Sequence, residues 1–397
     1  MDLVKELMII IELLLLIFLG LSSSYLFFFA IIGLFYKVPI YKRTKVKSRI
    51  AILIFDYKNH SKLIQSVRSS VNQDYPLGQF EVFVVSNNYV ESNMNTSMFP
   101  IRIIKCMGNS KKLSEVFKQA LLQIDDAFDL IVTIHSKSIL NTNYLSQINL
   151  AYIGGARVIQ GHRIFKKLST SKAKYRAITE EMNNHIFRKA HNVIGLSSSI
   201  LGWGVAYDYA LIQDILTRKK NRLKSNSTFK ILENEILKRN IKVHYLAHTH
   251  FFEYCMQYSY EFRRQQIKWV NSNKKYYKSV LKTLRQFDYK KINKHLIDKF
   301  LQLMIPPKLL LFVGVIFGTV LSLTNQFLFL SNVKILMGWL VIIFFNVLTV
   351  LFSTPINFFK MRYLNIFKVL PKLTSVLYFT FLNMGKKFNR GPNNRFF

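Results

Sequence analysis

Negative charge is scarce in this chain. Its 397 residues include 21 Asp and Glu against 56 Lys and Arg, a formal net charge of +35. That excess is far beyond what solubility needs, and it calls for an anionic neighbour: lipid headgroups, nucleic acid or a phosphorylated ligand. Cysteine is nearly absent. Cys106 and Cys255 cannot build a disulfide framework and lack metal-ligand spacing, so they are expected as small buried hydrophobes in a reduced compartment. Neither a P-loop nor a GxGxxG stretch occurs. A Walker ATPase and a Rossmann dehydrogenase therefore have no support. Apolar residues are plentiful and gathered into long uncharged blocks, which fits neither a disordered chain nor a simple soluble globule.

The first block, Leu13 to Tyr36, carries no charge. At ~1.5 Å per residue it can cross a ~30 Å hydrocarbon core with some tilt. It is too long for a signal-peptide core, and acidic Asp2, Glu6 and Glu12 stand where a basic leader belongs. It reads as a retained anchor. Leu309 to Leu330 and Ile335 to Phe352 form two more blocks, separated only by Ser331, Asn332, Val333 and Lys334, and so predict a helical hairpin. Lys37, Lys42, Arg43, Lys45, Lys47 and Arg49 crowd the exit of the first anchor, and positive charge stays cytoplasmic. The expected arrangement is a multi-pass protein of the cell (inner) membrane, its N-terminus and hairpin loop outside and its large middle region cytoplasmic. The basic, aromatic-rich tail suits the surface of an anionic membrane; a poorly ordered terminus is the alternative. Four regions are expected: 1–48, anchor and basic linker; 49–298, cytoplasmic domain; 299–355, hairpin; 356–397, tail.

In the middle region, short β-branched runs alternate with helix-like segments. RIAILIF, FEVFVVS, IRIIKC and DLIVTIH read as buried parallel strands, and HSKLIQSVRSSVNQ and KKLSEVFKQALLQI as helices between them. Such alternation predicts an α/β sheet whose ligand site lies beyond the strand ends, after Phe55, Ser86 and Ile134.

IAILIFDYKNHSKLIQSVRSSVNQDYP followed by FEVFVVSNN resembles the opening of a family 2 glycosyltransferase, with the nucleotide-sugar-dependent GT-A fold. ARVIQGHRIFKKLSTS, AITEEMNNHIFRKAHNVIGLSSSILGWGVAYDYAL and RRQQIKW continue the likeness in order, over Lys37 to about Lys275. The pattern is similar to membrane-integrated bacterial members, relatives of cellulose and hyaluronan synthases. The resemblance implies an α/β GT-A domain with flanking transmembrane helices. It also implies three carboxylate elements, and this chain departs from all three. A DxD element, which holds Mg²⁺ or Mn²⁺ against the donor diphosphate, is matched by His135, Ser136 and Lys137. Lys137 would repel a cation, so the divalent site is expected to be lost and no cofactor remains. The acid that helps hold the nucleoside is matched by Asn87 and Asn88, which keep hydrogen-bonding capacity without charge. The general base falls at Thr228 and Phe229, neither of which takes a proton at neutral pH. Glu233, one helical turn on, could substitute only with a shifted register; otherwise it is a surface or packing acid.

Other elements survive. The QxxRW motif reads Gln265, Gln266, Ile267, Lys268, Trp269, keeping charge but losing the bidentate arginine. Trp269 is placed to stack on a sugar or nucleotide, or to sit as an interfacial aromatic. Gly202, Trp203 and Gly204 match a small-residue turn on the acceptor side, where Trp203 is bulkier than the pattern. The acidic and basic residues of TEEMNNHIFRKAH read as i,i+3 and i,i+4 partners on one helix. Lys137, with Lys268, could neutralise a diphosphate directly. The resemblance thus implies transfer of a sugar from a nucleotide-sugar donor to a polysaccharide or lipid-linked acceptor, metal-independent or reduced in activity. The alternative is an inactive relative serving polysaccharide-synthesis partner proteins. A nucleic-acid-docking role ranks below both, because the basic residues are scattered and no nucleic-acid motif is present.

Overall fold

A computed structural model describes residues 2–41, 44–56, 62–86, 99–106, 113–124, 128–217, 228–255, 259–286, 293–329 and 333–359. The basic tail from 360 onward, the hairpin loop 330–332 and Asn87 and Asn88 lie outside them.

The four apolar runs become strands β1 (Ile50–Asp56), β2 (Phe80–Ser86), β3 (Ile101–Lys105) and β4 (Leu130–His135), all mutually parallel. β5 (Ser138–Leu140), β6 (Val158–Lys166), β7 (Val205–Asp208) and β8 (Val243–Tyr254) complete a mixed eight-stranded sheet in the order β3-β2-β1-β4-β7-β6-β8-β5. β1 lies within this sheet, and every residue of it is buried. Its side chains alternate between two cores, as a period of two requires. Ala51, Leu53 and Phe55 join Phe83, Phe117, Ile131 and Tyr207; Ile50, Ile52 and Ile54 join Val84, Val132, Tyr144 and Ile148. β3 differs from expectation. It is the sheet edge and only partly buried, because one flank has no neighbouring strand.

Helices α2 (Leu63–Val71), α3 (Leu113–Leu121) and α4 (Tyr144–Ile153) cover the sheet. Next come α5 (Ser171–Asn184), a π-helical turn His185–Ala190 and the short α6 (His191–Val193). The remaining helices are α7 (Tyr209–Thr217), α8 (Thr228–Lys238), α9 (Ser259–Arg285) and α10 (Lys294–Met304). α10 runs across the 298/299 boundary expected between domain and hairpin.

The three apolar blocks are helices long and apolar enough to cross a membrane: Glu6–Phe35, within α1 (Asp2–Ile32) and the turn after it; Lys308–Phe327, within α11 (Lys308–Phe329); and α12 (Val333–Ser353). Glycines let them pack closely. A Cβ on Gly318 would lie 2.2 Å from the Trp339 ring, and Gly314 and Gly20 meet Leu19 and Ile342 at 3.2 and 3.1 Å on the same basis. Large apolar side chains such as Leu14, Leu21, Phe317, Val341 and Phe344 face outward. Several polar groups face inward, and Glu12, beside the apolar run in sequence, is only 1% exposed. Asn325 Nδ2 donates to its Oε2 at 2.7 Å and Trp339 Nε1 to its Oε1 at 3.2 Å, so one carboxyl ties three helices.

The domain joins these helices through α1. Leu19 lies against Gly314, and α1 runs antiparallel to α11, so Tyr25 is about level with Lys308. Past Tyr25, α1 packs on the π-helical turn, where Ala30 O meets His185 Nε2 at 2.8 Å and the His185 ring fills the space that a Cβ on Gly33 would need. Tyr25 itself donates to Asp298 Oδ1 of α10 at 2.6 Å.

Glu12→Ala leaves two buried donors without their acceptor. We expect a loss of about 1–3 kcal/mol, read as a lower melting temperature of the full chain in nanodiscs, with Glu12→Gln intermediate. An alanine variant as stable as the parent would contradict this role for the carboxyl.

Candidate functional site

From β1 the chain goes to β2 and β3 on one side, while β4 pairs on the other, so the switch-point crevice of an α/β sheet is expected beyond the ends of β1 and β4. Two turns reach it. The first is Gly202-Trp203-Gly204, leading into β7. Gly202 (φ +117°) and Gly204 (φ +65°) adopt backbone that side chains resist, and a Cβ on Gly204 would lie 2.2 Å from the Phe251 ring. Gln160 on β6 pins the turn: its Oε1 accepts from Leu201 N at 2.8 Å, and its Nε2 donates to Gly204 O at 2.9 Å. Tyr144 Oη donates to the same carbonyl at 2.9 Å, and Gly204 N donates to Thr133 O at 2.8 Å. Held this way, the Trp203 ring lies 5.5 Å from Phe55, 5.4 Å from His135 and 4.8 Å from Phe229. It packs against both cores at the strand ends. Gln160 and Tyr144 escaped the sequence reading because their work is done on backbone atoms distant in sequence.

The second turn is His135-Ser136-Lys137, between β4 and β5. Ser136 N donates to Phe55 O at 3.1 Å, fastening the turn to the end of β1. Lys137 N donates to His135 Nδ1 at 3.1 Å. In the neutral ring the proton therefore sits on Nε2. A hard divalent cation wants several oxygen ligands, and an imidazole, a hydroxyl and an ammonium do not supply them. Among the described residues no three His, Cys, Asp or Glu side chains could hold a metal. One carboxylate passed over in the sequence stands nearby: Asp56, fully buried, one residue past the Phe55–His135 pair.

α8 carries the position implied for the base. Phe229 closes onto Trp203, and the side chain of Thr228 is outside the described residues. Glu233, one turn on, is buried: Lys299 Nζ lies 2.8 Å away, Tyr276 Oη donates at 2.9 Å, and Ile200 N donates to Oε1 at 3.1 Å. Glu233 thus braces the segment leading into the Gly-Trp-Gly turn instead of facing the crevice. Gln265, Lys268 and Trp269 lie on α9, and their side chains are outside the described residues, as are Asn87 and Asn88 entirely.

The TEEMNNHIFRKAH stretch departs from the expected pattern of local pairs. Most of its partners come from elsewhere in the fold, because the helix is buried between domain and anchor. Glu180 pairs with Arg163 at 2.8 Å and, eight residues along its own stretch, Arg188 at 3.2 Å. Glu181 meets His162 at 3.3 Å, and His191 meets Asp298 at 3.2 Å. Burial alone would raise the Glu180 carboxyl, but the guanidinium groups of Arg163 and Arg188 outweigh it and hold it at about 2.

Lys230, beside Phe229, donates to Ser272 Oγ at 2.8 Å and to Asn273 Oδ1. Burial pulls its ammonium down to about 7 from 10.5, against the attraction of Glu233 and with repulsion from Lys299. Between those two values the unfolded chain holds the extra proton, so this group makes stability rise with pH. Its penalty is complete below about pH 7 and gone above the unfolded value. We therefore expect the stability gained by Lys230→Met to be largest at pH 6 to 7 and to shrink toward pH 10, by denaturant unfolding at each pH. A difference independent of pH would refute the shift.

No family model matches the sequence, and no curated protein matches it. Solved structures do match in shape. The mannosyltransferase PcManGT from Pyrobaculum calidifontis, solved with GDP-Man and Mn²⁺, is similar over 87% of this chain and 98% of its own, at 10% identity and a TM-score of 0.55. TarS from S. aureus aligns over 70% of this chain and 54% of its own, at 13% identity and a TM-score of 0.38. The first likeness, at that identity, shows the fold: the chain has a glycosyltransferase-like fold.

Proposed function

We propose that this protein is a membrane-embedded, GT-A-type relative of the family 2 glycosyltransferases that engages a nucleotide sugar without a divalent cation. It would pass the sugar to a polysaccharide or lipid-linked acceptor at the cytoplasmic face. The observation that carries this reading is the meeting of the His135–Lys137 and Gly202–Gly204 turns at one crevice, at the point where an α/β sheet takes its ligand. The mannosyltransferase of similar fold was solved with a nucleotide sugar, which agrees with that ligand class.

Within this reading each residue has a physical task. The His135 Nε2–H donates to a phosphate oxygen, and Lys137 offsets charge as the diphosphate departs. The Trp203 face stacks on a ring of the ligand. α1, α11 and α12 hold the domain against the bilayer, with the basic linker after α1 on the cytoplasmic side. A second reading, a non-catalytic scaffold for polysaccharide-synthesis partner proteins, is favoured by one observation. Phe229 stands at the position implied for the base, packed edge-on to Trp203.

Binding of GDP- and UDP-sugars to the full chain in nanodiscs, with and without EDTA, tests the proposal, together with release or transfer of labelled sugar. Binding should survive EDTA and weaken by about tenfold or more in Lys137→Ala. Turnover that requires Mn²⁺ would overturn the metal-free assignment. Absence of binding to any nucleotide sugar would leave only the scaffold.

A further inference from the structure

Strands β5, β8 and β6 gather lysines round one tyrosine. β5 pairs antiparallel with β8, Ser138 opposite Glu253, and β8 pairs with β6, Tyr254 opposite Lys166. Lys137 ends the turn that leads into β5, one residue before the Ser138–Glu253 pair, and Lys166 flanks Tyr254 on the other side. Adjacent strands are about 4.8 Å apart, and directly opposed residues share a face. Lys62, just before α2, places its Nζ 4.6 Å from the centre of the Tyr254 ring, and Lys167 places its own at 5.5 Å. Lys166 Nζ sits 4.0 Å over Phe252. Lys167 adopts φ +57°, a backbone that a lysine enters only at a cost.

An aromatic face steadies an ammonium without cancelling its charge, as a carboxylate would. Among the described residues none of these four lysines has a carboxylate within ion-pair distance. Glu253, next to Tyr254 in sequence, points to the opposite face, where Arg163 lies at 3.3 Å and Ser138 Oγ donates at 3.2 Å. Lys166 and Lys167 are exposed, and Lys62 and Lys137 half-buried. Like charges collected without counter-ions repel, and a compact dianion relieves that repulsion. Their position beside the His135–Lys137 turn puts this positive charge where the DxD element of a metal-dependent relative would be.

We propose that Lys62, Lys137, Lys166 and Lys167 form a metal-free cradle for the diphosphate of the nucleotide-sugar donor, with Tyr254 as its floor. The assignment rests on the nucleotide-sugar reading of the crevice. It adds three residues which the family pattern does not mark.

The test uses the full chain in nanodiscs of zwitterionic lipid, in EDTA, titrated with pyrophosphate, with GDP and UDP, and with the bare nucleosides. Pyrophosphate and both nucleotides should bind, more weakly as salt rises. The Lys166→Gln/Lys167→Gln variant should lose about tenfold or more in affinity for all three at an unchanged melting temperature, and Lys62→Gln should deepen the loss. Equal binding by variant and parent, or a requirement for Mn²⁺, overturns the cradle. Nucleotides bound with affinity indifferent to the lysines would overturn the cradle and leave the nucleotide-sugar reading standing. Lysine-dependent pyrophosphate binding, with nucleotides no tighter than pyrophosphate, would support the cradle and overturn the nucleotide-sugar reading.

Discussion

A carboxylate can be buried only where donors or cations meet it, and this constraint decides where the few acids of this chain stand. Glu12 is met by Asn325 and Trp339 among the apolar helices. Asp298 is met by Tyr25 and His191 where α1 enters the domain. Glu180 is met by Arg163 and Arg188 on the π-helical side, and Glu233 by Lys299 and Tyr276 behind the Gly-Trp-Gly turn. Except for Glu180–Arg188, which stays within one helical stretch, these contacts join separate elements of the fold. Together they run from the apolar bundle to the segment that carries Trp203. Removing one partner of such a pair strands a charge in a poor solvent, so these contacts fix how the anchor meets the domain.

The same commitment shapes the crevice. With these acids engaged in the framework, the described residues there include an imidazole, an indole, a phenyl ring and lysines. Asp56 stands one residue past the paired ends of β1 and β4, and it is buried. In the proposed cradle, positive charge that elsewhere would accompany a bound cation would be carried covalently, on side chains steadied by Tyr254 and Phe252. Charge of that kind does not depend on a metal supply, but it cannot direct ligand bonds as a cation does.

The sequence was most informative where a pattern is local. β1, β2 and β4 stand out because a buried central strand must be apolar along its length, and the long uncharged runs are helices for the same reason. The buried role of Glu12 is not legible in the sequence, because its place directly before the apolar run says nothing of Asn325 and Trp339, which lie more than 300 residues away. The expected 298/299 boundary falls inside α10 because its buried face, His295, Leu296, Asp298 and Lys299, is mostly polar and only acquires meaning beside α1 and α8. Glu233 looked like a spare acid because its partners Lys299, Tyr276 and Ile200 come from three separate segments. The Gly-Trp-Gly turn was recognisable in the sequence, whereas the grip of Gln160 and Tyr144 on it was not.

A cryo-EM map of the full chain with GDP or UDP and excess Mn²⁺ tests cation-free recognition of a diphosphate most directly. The diphosphate should lie beside the His135–Lys137 turn, surrounded by ammonium groups, with no metal between phosphate and protein. Manganese coordinated by the protein beneath the diphosphate would contradict it.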